Sequence, residues 1–259
     1  MRQGCFLLCL LVILIFLGCN DDDFVVHSGL VEQVQRVYPT YTNKLLTFDY
    51  DEIGKVVSVN RDIGYRGISS INYFYDSAGA LIKFSESNCE TCFSGKATYK
   101  NGLLLKSTSF ISGYVYDNKR KISTYNYNTD NQRISQIDTT ITDAIINNTY
   151  LPDTTIIQKQ FNYNSQGNII SMKVFDEKGN LLSEREFEYD DRINPFFRKN
   201  SSFFGGVRYF SCPNNITRTT ILINDSTRVL ESFYSYDNLG FPTEIRKGAS
   251  DNYLQLRYK

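Results

Sequence analysis

One short pattern governs what this chain can fold into. It reads aromatic-x-aromatic, then Asp or Asn, then two free positions, Gly, one more position and an aliphatic residue. It runs Phe48-Asp49-Tyr50-Asp51 to Gly54 and Val56, and again Tyr73-Phe74-Tyr75-Asp76 to Gly79 and Leu81. It returns at Phe161-Asn162-Tyr163-Asn164 to Gly167 and Ile169, and at Tyr234-Ser235-Tyr236-Asp237 to Gly240. Phe175-Asp176 with Gly179 and Leu181 is a looser copy, and Tyr99-Lys100-Asn101-Gly102 a shortened one. Tyr125-Asn126-Tyr127-Asn128 leads to Ile134 with one residue extra, and Tyr114-Val115-Tyr116-Asp117 leads to Ile122 with Arg120 in the glycine place.

Aromatics two residues apart share one face of a strand. The acid or amide accepts bonds from the turn backbone, and glycine supplies the positive φ that other residues resist. The turn residues on this reading are Asp51, Gly54, Asp76, Gly79, Gly167, Asp176, Gly179, Asp237 and Gly240. Asp117 and Asp190 take the same place. Each copy is then one β-hairpin corner, a type I turn with a glycine bulge. With 19 Tyr, 18 Phe and no Trp, the expected fold is all-β: a long antiparallel meander of hairpins forming a curved or partly rolled sheet. Thr139 to Ile145 and Thr154 to Phe161 form a longer hairpin tipped by Asn147-Asn148. Leu30, Val31, Val34, Val37 and Tyr38 suit a short helix or an opening strand, and Leu254, Leu256 and Tyr258 a closing one.

The N-terminus supplies an address. Arg2 precedes an apolar run from Phe6 to Leu17, followed by Gly18-Cys19 and Asn20-Asp21-Asp22-Asp23. The run spans roughly 18 Å as helix against a hydrocarbon core of about 30 Å, so it suits a signal peptide and not a membrane span. Residues 1–18 are the expected lipoprotein signal, 19–29 the lipidated Cys19 with an acidic tether, and 30–259 the repeat domain. Diacylglycerol and a further acyl chain (palmitate, for example) on Cys19 would anchor the chain to a membrane.

Lys+Arg and Asp+Glu balance at 28 each, which excludes the basic stripe that nucleic-acid binding needs. Beyond the signal and Cys19, the cysteines are Cys89, Cys92 and Cys212. Cys89-Glu90-Thr91-Cys92 is the candidate for a local disulfide. A zinc site lacks ligands, because the one histidine, His27, lies in the tether. Asp49, Asp51 and Glu52 lack the spaced acidic loop of a calcium site. There is no GxSxG elbow, HExxH helix or phosphate-cradling glycine loop. No cofactor and no enzymatic centre are expected, although plentiful carboxylates leave a glycosidase pair open. Phe196, Phe197, Phe203, Phe204 and Phe210 break the repeat and are expected to cap the open end of the sheet.

The corners resemble YD repeats, the β-hairpin repeats of large bacterial surface and toxin shells. The chain also resembles domains of unknown function in Bacteroidota-type surface lipoproteins, where such hairpins run to late segments like Tyr189-Asp190-Asp191-Arg192-Ile193-Asn194-Pro195-Phe196, Ser211-Cys212-Pro213-Asn214-Asn215-Ile216-Thr217 and Tyr236-Asp237-Asn238-Leu239-Gly240-Phe241-Pro242-Thr243. The acidic stretch after Cys19 resembles the surface-export signal of those lipoproteins. The resemblance implies the outer membrane, facing the cell exterior, and brings no catalytic residue. The expected role is a non-enzymatic binding or scaffold module for an outer-membrane protein or a glycan. The alternatives are a carboxylate-dependent enzyme on polysaccharide and a structural or toxin/immunity-associated lipoprotein.

Overall fold

The structure, a computed structural model, describes residues 30–37, 42–62, 67–88, 91–113, 118–146, 149–197, 212–249 and 251–258. The signal peptide, Cys19 and the tether, Cys89, Asp117, Asn147-Asn148, Phe203, Phe204 and Phe210 lie outside the described residues. The strands are β1 (Val31–Val37), β2 (Thr42–Tyr50), β3 (Val56–Asp62), β4 (Ile68–Tyr75), β5 (Leu81–Ser87), β6 (Thr91–Lys100), β7 (Leu103–Gly113) and β8 (Asn118–Tyr127). They continue as β9 (Arg133–Ile146), β10 (Thr149–Tyr163), β11 (Ile169–Phe175), β12 (Leu181–Ile193), β13 (Asn214–Ile223), β14 (Ser226–Tyr236), β15 (Pro242–Lys247) and β16 (Tyr253–Tyr258).

Each strand pairs antiparallel with its sequence neighbours, and β1 pairs with β16, so the sheet is a closed barrel of sixteen strands. This corrects the curved or partly rolled sheet expected from sequence. Closure removes the two edges that a meander would leave open. The opening segment is strand β1 (Val31–Val37), not helix, and its Val31 lies opposite Tyr258; Tyr38 lies outside the described residues.

The connections from even to odd strands all lie at one end, the corner end. There the Asp or Asn side chain accepts two backbone N–H groups. Asp51 Oδ1 accepts from Ile53 N and Lys55 N at 3.1 and 2.7 Å. Asp76, Asn128, Asn164 and Asp237 do the same in their own turns. Gly54, Gly79, Gly167 and Gly240 take positive φ, and each donates its N–H to the carbonyl of the acid or amide three residues before. Asp176 and Gly179 build the same turn at the opposite end, between β11 and β12.

Two corners differ from the sequence expectation. In the Asn128 turn, Asn131 occupies the glycine position at φ 61°, and the strand restarts at Arg133, paired with Tyr127; Ile134 is the bulged extra residue and faces outward. Arg120 is not a turn residue at all: it lies within β8, opposite Phe110 and Ile141.

A register shift accompanies the last tyrosine of each even strand at these corners, as at Asp49/Tyr50, Phe74/Tyr75 and Asn162/Tyr163. Within each odd–even pair, backbone pairing stops short of the corner end. β3 and β4, for example, pair only up to Ser58↔Asn72, so Val56 and Tyr75 lie beyond the ladder between these two strands. Tyrosine hydroxyls bridge these splayed ends. Tyr50, Tyr75, Tyr99, Tyr127, Tyr163, Tyr189, Tyr234 and Tyr258 donate to the carbonyls of Val31, Val56, Leu81, Leu104, Arg133, Ile169, Ile216 and Pro242, at 2.6 to 3.0 Å. The carbonyls that the ladder abandons are therefore satisfied by side chains, as buried backbone groups must be.

The inward face is layered. The tyrosine ring and its aliphatic partners form the first layer. Val34, Phe48, Val59, Phe84, Tyr125, Phe161, Ile245 and Leu256 form a buried apolar second layer. Gly95 sits under the Phe84 ring, where a Cβ would come within 2.4 Å of it.

Candidate functional site

The third inward layer is charged. On β5, Glu86 is buried and accepts from Arg61 on β3 at 2.5 Å, from Ser69 Oγ at 2.9 Å and from Phe93 N at 3.1 Å. On β9, Asp138 is 3% exposed. Its Oδ1 accepts from Ser123 Oγ and Gln136 Nε2, both at 2.6 Å. Its Oδ2 takes Lys159 Nζ at 2.6 Å and Lys121 Nζ at 2.9 Å. Burial alone would raise this carboxyl; the Lys159 ammonium and the hydrogen bonds from Gln136, Lys159 and Ser123 outweigh it and hold Asp138 well below the usual carboxylate range. Burial lowers Lys159, the Asp138 carboxylate opposes that, and the like charges of Lys121 and Arg133 push it further down.

Arg133 belongs to the same group. Its place at the head of β9 is the one that Val56, Leu81 and Ile169 fill at other corners. The guanidinium lies 4.7 Å from the Phe161 ring and 5.6 Å from the Tyr125 ring, a cation–π arrangement. Its Nε is buried and has no hydrogen-bond partner. Arg133, Gln136 and Asp138 thus carry a polar stripe down β9 through both apolar layers.

A second polar group closes the barrel between β12, β13 and β14. Between β12 and β13, the described residues 194–197 and 212–213 interrupt what would be an ordinary corner after Tyr189. Asp190 Oδ1 still accepts from Arg192 N at 3.0 Å, and from Asn215 N at 3.1 Å across the excursion. Tyr236 donates its hydroxyl to Asp190 Oδ2. Asn168, fully buried, exchanges bonds with Asn214 at 2.8 and 3.1 Å. Phe196 packs into the interior, 6.4 Å from the Phe48 ring, while Phe197 is exposed. Cys212 is free and buried, with Sγ 3.1 Å from the Tyr189 hydroxyl and 3.5 Å from Ile169 N; burial pushes its thiol up. Cys92 is disulfide-bonded.

Asp49 is on the outer face, bonded to Ser58 and Asn60, and Asp51 is spent in its turn. Among the described residues, no three His, Cys, Asp or Glu side chains gather to hold a metal ion. Among the described residues, the buried carboxylates Glu86 and Asp138 are each committed to a basic partner. Sequence reasoning missed Arg61, Glu86, Lys121, Asp138 and Lys159, because alternation marks a position as inward without saying that the third layer tolerates charge. Arg133 did leave a signal, a charge where the corner pattern wants an aliphatic side chain.

No family model and no curated protein matches this chain. Among solved structures, it is similar to a porin-like protein from Bacteroides vulgatus ATCC 8482, with a TM-score of 0.56 and 14% identity over 89% of this chain and 98% of that one. A porin-like protein from Bacteroides uniformis ATCC 8492 matches at a TM-score of 0.34 and 10% identity, over 88% and 98%. The first of these likenesses shows that the chain has the fold of a porin-like β-barrel.

Proposed function

We propose that this chain is a lipid-anchored barrel at the outer membrane, displayed on the cell exterior, that acts as a non-enzymatic binding module with its wall standing in water. The polarity of the wall carries this reading. Outward positions hold Asp49, Lys83, Lys96, Glu186, Glu188 and Glu231, all exposed, which break up the exposed apolar side chains of the same face, such as Phe74, Phe110 and Ile137, while the buried apolar layers face inward. A membrane barrel has the reverse arrangement, an apolar outer band about 25 Å tall. A lysine or arginine facing lipid at the midplane costs about 2 to 4 kcal/mol, and this wall carries charge on most of its strands.

A lipid on Cys19 would supply the membrane attachment that the wall does not. The chain enters the barrel at the corner end, where Val31 lies opposite Tyr258. The ten or so residues between Cys19 and β1 reach at most about 35 Å, so the anchor holds that end toward the bilayer. With Glu86 and Asp138 locked in ion pairs, the interior offers no free carboxylate pair for glycoside hydrolysis among the described residues.

A membrane-spanning porin is the second reading, favoured by sixteen-strand closure and by the likeness to porin-like proteins. Cys19→Ala in the full chain separates the two. Loss of acyl labelling and release of the protein from washed membranes in soluble form supports the anchored module. An unlipidated chain that stays integral to the membrane, or conductance steps from the purified protein in planar bilayers, overturns it.

A further inference from the structure

We infer that the barrel interior carries an oxyanion-binding site built from Lys121, Arg133 and Lys159 around Asp138, suited to the carboxylate or sulfate group of an acidic ligand. Two ammonium groups, from β8 and β10, converge on a single carboxylate, and the Arg133 guanidinium of β9 is close enough to Lys159 to push its pKa down. Lys121 and Lys159 share one oxygen of that carboxylate, Oδ2, at 2.9 and 2.6 Å. Its other oxygen is filled by Ser123 and Gln136, so Asp138 has no remaining lone pair directed at Arg133. One carboxylate is therefore shared by two ammonium groups, with a third cation, Arg133, beside Lys159. The Arg61–Glu86 pair is balanced within itself and lends no anion.

Buried charge without a partner is costly, and a chain that gathers three cations in its interior has a physical reason to be offered an anion there. The donors for it exist. Each ammonium has N–H groups beyond those given to Asp138, and Arg133 Nε is buried and unbonded. The Tyr125 and Phe161 rings flank the guanidinium and fix its plane. Water reaches the group, since the Lys121 side chain keeps 40% of its exposure. The charge excess is local, because the chain as a whole is neutral. Field lines from such a group are concentrated by low-dielectric walls, here the apolar layers beside it.

The site stands on this geometry whatever displays the barrel. It deepens the binding-module reading by naming the ligand's chemistry: an oxyanion, either free or carried on an acidic glycan. The test uses the full-length lipoprotein in non-ionic detergent, titrated calorimetrically at low ionic strength with sodium sulfate, with trigalacturonate and with neutral maltotriose. Saturable binding of a charged probe and none of maltotriose is expected, weakening as sodium chloride is added. Lys121→Gln leaves the Asp138–Lys159 pair in place and should weaken binding at least tenfold, whereas Lys96→Gln on the outer wall should leave it unchanged. Sulfate bound as tightly as trigalacturonate points to a free oxyanion; trigalacturonate bound much more tightly points to an acidic glycan. Absence of binding by both charged probes, or equal binding by the Lys121→Gln and Lys96→Gln proteins with unaltered circular dichroism, overturns the site. Retention of the Cys19→Ala chain in the membrane would leave this result untouched, so the two proposals fail separately.

Discussion

The Tyr75 hydroxyl donates to the Val56 carbonyl at 2.6 Å, joining the end of β4 to the start of β3 where the backbone ladder between them has already parted. The same bond recurs around the corner end, so a side chain takes over the work of the sheet at each splay.

Tyr75→Phe removes that donor and leaves a part-buried carbonyl without its partner. A loss of about 1 to 2 kcal/mol is expected in urea denaturation, the range for stranding one buried acceptor. Tyr253→Phe, on the outer wall, should cost less. Equal effects of the two substitutions would mean that water replaces the bond.

Alkaline pH should unfold the barrel through these rings. Burial, partly opposed by Arg133, pushes the Tyr127 hydroxyl up to about 12, and burial also raises Tyr99, Tyr163, Tyr189 and Tyr258. A raised pKa means that the unfolded chain gives up these protons first. The stability they confer is complete below about pH 10, the unfolded value, and drains away as pH rises through the folded values. Tyrosinate absorbance should therefore appear cooperatively with loss of β-sheet circular dichroism above pH 10. A smooth titration of all tyrosines in a folded barrel would refute this.

Asp138→Asn leaves Lys121 and Lys159 crowded without their counter-ion. Removing one partner of a buried pair costs about 3 to 5 kcal/mol, and the lower part of that range is expected because both lysines keep some exposure. In the wild type, the depressed Asp138 carboxyl gives stability above the unfolded value near pH 4, and this is lost as pH falls. Thermal unfolding of the two proteins from pH 7 down to pH 2 should show the gap between them shrink.

Gly95→Ala places a methyl group against the Phe84 ring and the Thr108 carbonyl. Overpacking of this kind costs about 1 to 3 kcal/mol. Adding Phe84→Leu should recover part of it, measured as a non-additive pair in a double-mutant cycle.

The corners were readable because their chemistry is local. An acid or amide, a residue able to take positive φ and an aromatic pair suffice to specify Asp51, Asp76 or Asp237 without reference to the rest of the chain. Closure was not readable. It depends on Leu254, Leu256 and Tyr258 meeting Arg36, Val34 and Val31, a contact between the two extremes of the sequence that no spacing announces. The pattern misplaces Arg120 in a turn because Tyr114-Val115-Tyr116-Asp117 follows it, whereas it finds the Asn128 corner with the restart one residue late, since Asn131 stands in for glycine and Arg133 for the aliphatic residue. The Asp190 turn was legible as chemistry, yet the excursion that splits it hid the residue, Asn215, that completes it.

That excursion leaves and rejoins the barrel at two points that Asp190 and Asn215 hold at hairpin distance. Its described ends are part of the wall they leave, because Phe196 packs on Phe48, Cys212 packs with Phe161 and Ile169, and Asn194 holds the Cys212 carbonyl, so a change at any of the three is felt by the barrel itself.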